Sequence, residues 1–137
     1  MSYLGALLGL GMKEYSDNKL YNVRAFGLPE FQINARHIRL RYSRHAVIRL
    51  EHYNRDIGVR HGEVKAPSMI DMQKIDIVEM ETTPDGLPVK IVGRYSIDPD
   101  RDLVLIIVLR NSTVKTMWVN ERNDQHYTLN KRGYDKP

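Results

Sequence analysis

An α+β fold, with N-terminal helical structure packed on a four-stranded antiparallel sheet, is what this 137-residue sequence predicts. Three observations carry that expectation. One helix signal runs through "SRHAVIRLEHYNRDIG", four strand-like segments come after it, and the turns between them are short enough to make neighbours in sequence neighbours in space.

In chain order, the apolar "YLGALLGLGM" has no basic residue before it and is about half the length that spans a bilayer, so neither export nor a membrane span is expected. It reads as a tail that docks on its own core or on a protein partner. Turn signals at "SDN" and "FGLPE" and the basic run "ARHIRLRY" follow. Residues 1–41 are therefore read as an extension, and 42–137 as the folded α+β domain.

The helix opens at Ser43 as N-cap, sets Ala46, Val47, Leu50, Tyr53 and Ile57 on one stripe, and is expected to stop at Gly58. At about 100° per residue, His45, Arg49 and His52 fall within about 60° of one another, beside that stripe. "SMIDMQ" suits either a short helix or a strand extension. "KIDIVEMETT" alternates and ends in the "PDG" turn. "LPVKIVGRYSI", the "DPDRD" turn, and "LVLIIVL" come next, the last apolar on both faces and so central. "TVKTMWVN" closes the meander, with Val114, Thr116, Trp118 and Asn120 expected on one face, and Lys115, Met117 and Val119 on the other, unless a bulge intervenes.

Composition is that of an average globular domain, 42% apolar and 28% charged, which excludes a disordered or fibrous chain. The absence of cysteine excludes a disulfide scaffold and thiolate metal sites, and fits a reducing, cytoplasmic location. Net charge is only +4, but it is unevenly placed. Residues 36–65 hold eight Lys or Arg against three acids, residues 66–109 four against eight, and residues 110–137 six against three. Two basic segments flank an acidic one, and a fold that joins them presents a cationic surface to a polyanion.

The basic helix "SRHAVIRL", the meander after it, and the terminal "VKTMWVN" with "NDQHYTLNKRGYD" resemble small phage-associated and bacterial ribonuclease-like proteins, the superfamily of barnase, RelE-type toxins and colicin-type tRNA-cleaving toxins. The likeness covers roughly Tyr42 to Asp135. It implies a RelE- or barnase-like fold and an RNA-cleaving, toxin-like hydrolase that needs no metal. It also implies a protein partner such as an antitoxin, virion or host protein, met through the apolar tail. A phage origin would place the protein in the host cytosol or in the virion.

The chemistry of such cleavage can be argued from residue types alone. A base must take the 2′-hydroxyl proton, a cation must stabilise the phosphate, and an acid must protonate the leaving oxygen. Histidine serves near neutral pH, Arg binds phosphate in a bidentate manner, and Thr or Asn donates neutral hydrogen bonds. His126 and Thr128, two apart on an extended segment, project to one side. The expected catalytic set is therefore His126, His45, Arg49 and Thr128, with His45 the second titrating group. Arg41, Arg44, Thr116, Asn120 and Lys131 would hold RNA, with Trp118 as a stacking platform. No metal and no cofactor is expected, since no third ligand accompanies His45 and His52 at a recognisable spacing. The rival expectation is a non-catalytic phage structural or host-takeover protein that binds nucleic acid or a protein partner through its basic face, a sheet edge and the apolar tail.

Overall fold

The computed structural model describes residues 17–23 and 37–124. The elements are β1 (Lys19–Asn22), β2 (His37–Arg39), β3 (Arg41–Tyr42), α1 (Arg44–Tyr53), a π-turn (Asn54–Gly58), α2 (Val59–His61), β4 (Met69–Asp71), β5 (Asp76–Thr82), β6 (Pro88–Asp98), β7 (Arg101–Val108) and β8 (Thr113–Glu121).

Strands β5 to β8 form the antiparallel meander that the alternation predicts, with β7 between β6 and β8. The expected fold class is nevertheless wrong. The fold is mostly sheet, and the main sheet is six-stranded and mixed, in the order β1-β5-β6-β7-β8-β3. β1 adds antiparallel to β5, and β3 adds parallel to β8. Strands β2 and β4 form a separate antiparallel pair, which settles "SMIDMQ" as strand followed by turn. The helical stretch is not N-terminal to the sheet but lies between β3 and β4. The physical reason for the error is length: strands of two to four residues complete no readable period, so the alternation of the basic run "ARHIRLRY" is too short to set the bounds or partners of β2 and β3.

Ser43 caps α1 as expected, its Oγ accepting from the Ala46 N–H at 3.0 Å. The same hydroxyl donates to the Lys115 carbonyl at 2.7 Å, so one side chain both starts the helix and ties it to β8. Ala46 and Leu50 are buried in one cluster with Val114, Met117, Leu105 and Ile91, where an aliphatic side chain as large as Leu50 contributes about 1.5–3 kcal/mol when fully buried. A second cluster, Val78, Val92, Val104 and Ile106 with Trp118, occupies the opposite face of the sheet, which is why "LVLIIVL" is apolar throughout.

The helix does not stop at Gly58. It widens into the π-turn and continues to His61, and Gly62 at φ 105° ends it. Asn54 explains the widening: its side-chain amide donates to the Val64 carbonyl at 2.9 Å and accepts from the Val64 N–H at 2.8 Å. A Cβ on Gly58 would stand 2.8 Å from the Asn54 Oδ1, so this clamp requires glycine there. Of the expected stripe, Val47 and Ile57 are 40% and 43% exposed, because the core takes only Ala46 and Leu50 fully and the π-turn alters the phase beyond Tyr53.

Candidate functional site

Strand β3 pairs with β8 only at Thr113 and Val114. Beyond them no strand among the described residues lines the outer edge of β8, and α1 runs beside that edge. Ser43 stands at Lys115, and a turn and a half further along, the Arg49 guanidinium lies 5.8 Å from the centre of the Trp118 ring. Arg41, Arg44, His45, Arg49 and Lys115 are all exposed here. Among the described residues, no carboxylate lies within ion-pair distance of any of them. The edge is therefore a run of cations whose charge is not neutralised locally.

The fold thus brings together Arg41, Arg44, His45, Arg49 and Trp118 from the expected set, with His52 on the same flank of the helix as His45 and Arg49. Thr116 and Asn120 sit differently. A β-bulge between Ile106 and Ile107 places Lys115 in excess, so Val114 joins Met117 and Val119 on the face packed by the helix. Thr116, Trp118 and Asn120 belong to the other face, and Val114 does not share it as the simple alternation predicts. Thr116 Oγ1 and Asn120 Nδ2 are closed to solvent without a hydrogen-bond partner among the described residues, which leaves neither atom placed to reach a phosphate on the exposed edge. Trp118 reaches round the edge to Arg49, so its platform is already covered on one side by a guanidinium. His126, Thr128 and Lys131, and the apolar tail at residues 3–12, lie outside the described residues.

Sequence reasoning missed a cleft of about 820 Å³ at the far end of the same helix and strand. Tyr53, Ile57 and His61 form one wall, the turn from Asp98 to Arg101 another, and Val119 to Asn123 the floor. Arg101 staples it together. Its NH1 donates to the Tyr53 hydroxyl at 2.9 Å and the Gly62 carbonyl at 3.1 Å, while Nε and NH2 reach Asp98 Oδ2 at 2.9 and 2.8 Å. The Arg101 hydrogen bond holds the Asp98 carboxyl below the usual carboxylate range, helped by the N–H groups of Asp100 and Arg101 and opposed by desolvation. Arg101 is in turn raised, first by Tyr53 and then by Asp98.

Behind the cleft, Arg94 is only 3% exposed. Its Nε meets Asp102 at 3.0 Å, and its terminal nitrogens donate to the carbonyls of Glu121, at 2.9 Å, and Asp124. Arg122 closes on the other Asp102 oxygen at 3.0 Å and on Ser96 and the Asp98 carbonyl. The arginines of this end are thus consumed by internal bonds. Asp100 and Glu121, by contrast, are exposed, and neither carboxylate forms an ion pair with another described residue. The signal that marks this end in the sequence is "DPDRD" itself, which is a turn whose arginine has acids on both sides.

Among the described residues no group of three or more His, Asp or Glu is placed to hold a metal ion, and no helix is long and apolar enough to cross a membrane. Compared with family models, with curated proteins and with solved structures, the chain matches none.

Proposed function

We propose that this protein binds single-stranded RNA along the outer edge of β8, beneath α1. The observation that carries the reading is Arg49 stacked over Trp118 in a row of cations that no described carboxylate neutralises. Phosphates suit Arg41, Arg44 and Lys115, since guanidinium and ammonium groups bind the backbone without regard to sequence. Bases suit the outer plane of the Arg49 guanidinium, because unpaired RNA bases stack on arginine planes as they do on aromatic rings. His45 is exposed one helical turn before Arg49, which supports its meeting a phosphodiester bound along the same edge.

The test is a salt series of binding to a mixed-sequence oligoribonucleotide in excess EDTA, followed by analysis of the RNA ends. Wild type is expected to bind, with affinity falling as salt rises; Arg44→Ala is expected to weaken binding and lower the logarithmic slope by about 0.7, the value for one single-strand phosphate contact, and Arg49→Ala to weaken binding with a smaller change of slope. Products ending in 2′,3′-cyclic phosphate that His45→Ala and His126→Ala both abolish extend the reading to metal-independent cleavage. Binding with intact RNA restricts it to recognition. Failure to bind at low salt, or variants that bind like wild type, overturns it.

A further inference from the structure

We infer that the cleft between Tyr53 and the end of β8 is a nucleobase pocket that favours bases carrying an exocyclic amine over uracil. The inference rests on the RNA reading, because the strand that holds the cationic edge at its start lines the cleft at its end: Lys115 and Trp118 lead directly to Asn120 and Glu121. At about 820 Å³ the space admits a nucleoside.

The available groups select what enters. All three nitrogens of Arg101 are bonded to Asp98, Tyr53 and the Gly62 carbonyl, and the Nε and NH2 of Arg122 to Asp102, Ser96 and backbone carbonyls, so most of the positive charge beside the cleft is already paired. Asp100 and Glu121 repel phosphate and accept from N–H donors instead. Tyr53 accepts from Arg101 and thereby keeps its own O–H to donate. Acceptors at the mouth and the Tyr53 hydroxyl donor on the wall, with the apolar sides of Ile57 and Val119 between them, match a flat heterocycle whose edge alternates amine and ring nitrogen. A phosphate group matches none of this.

The experiment titrates the full-length protein with adenosine, cytidine, guanosine and uridine, none of which carries a phosphate and so none of which needs the cationic edge. Amine-bearing nucleosides are expected to bind at least about tenfold more tightly than uridine, and Glu121→Gln or Asp100→Asn to remove most of that preference, as expected for a hydrogen bond to a charged group. Both substitutions are at exposed positions, so folding is preserved. Arg49→Ala is expected to leave nucleoside binding unchanged while weakening binding of the oligoribonucleotide. No nucleoside binding, equal binding of all four, or a preference that survives both acid substitutions overturns the pocket, even if RNA still binds the edge. Nucleoside binding with the expected preference in a protein that ignores oligoribonucleotides supports the pocket and sinks the edge reading alone.

Discussion

The two ends of the α1–β8 pair are built from the same residue type used in opposite ways. At the start, Arg41, Arg44 and Arg49 point to solvent, and no acid among the described residues neutralises them. At the end, Arg94, Arg101 and Arg122 are bound to Asp102, Asp98 and five different backbone carbonyls. A count of basic residues therefore overstates the field available to a partner, because half of these six arginines hold the fold together. The acidic middle of the sequence is where they are spent: Asp98 and Asp102 belong to it. What remains basic is the segment before the meander.

The contrast can be broken at its buried end first, where the expected effect is largest. Arg94→Met strips Asp102 of its innermost partner and leaves two backbone carbonyls unpaired, and it is expected to cost about 3–5 kcal/mol in urea unfolding. Arg49→Ala at the open end is expected to cost less than about 1 kcal/mol, the scale of an exposed cation–π pair, while it weakens RNA binding. Equal losses from the two substitutions would erase the distinction between structural and available arginines. Between these extremes, Gly58→Ala forces Asn54 off Val64 and is expected to cost about 1–3 kcal/mol; Asn54→Ala in the same chain should remove most of the additional penalty, a non-additivity read from a double-mutant cycle.

Two pH responses are expected to be smaller. The Tyr42 phenol donates to the Pro67 carbonyl, and burial, reinforced by Tyr95, pushes its ionisation well above the ordinary value near 10. Its contribution is fully present below about pH 10 and declines as pH rises toward the raised value, so Tyr42→Phe is expected to flatten the alkaline limb of stability while costing about 1 kcal/mol at neutral pH. For Asp98 the sign is reversed. Its lowered pKa gives stability above the ordinary carboxylate value near 3.9 that is lost as pH falls further, and Asp98→Asn should flatten only the acid limb. A thermal-melt series from pH 2 to about 11 reads both limbs, and an acid limb unchanged by Asp98→Asn would detach Arg101 from that role.

Much of this architecture was legible from periodicity. The cap at Ser43, the meander from Asp76 to Glu121 and the central place of β7 all follow from patterns several residues long. Strands β1 and β3 were not, since four and two residues contain no pattern, and their pairing is decided by partners about sixty and seventy positions away. The bulge at Lys115 was hidden because "VKTMWVN" alternates smoothly as text, and only the partner register at Ile106 and Ile107 shows the extra residue. The candidate edge was half legible: Arg41, Arg44, His45 and Arg49 lie close in sequence and are all exposed, whereas the closing of Thr116 Oγ1 and Asn120 Nδ2 to solvent is set by packing that no periodicity shows. The cleft was missed because it is made by three separated segments and by which arginines are already bonded, neither of which a one-dimensional pattern contains.

The parallel pairing of Arg41 and Tyr42 with Thr113 and Val114 also sets an order of events during synthesis. A chain emerging from the ribosome exposes its basic helix long before the strand that receives it, and the Ser43 to Lys115 tie spans 72 positions. Such a distant closure slows folding and comes after the local hairpins of the meander. The cationic edge is therefore assembled late, and a nascent chain has no complete edge until β8 is in place.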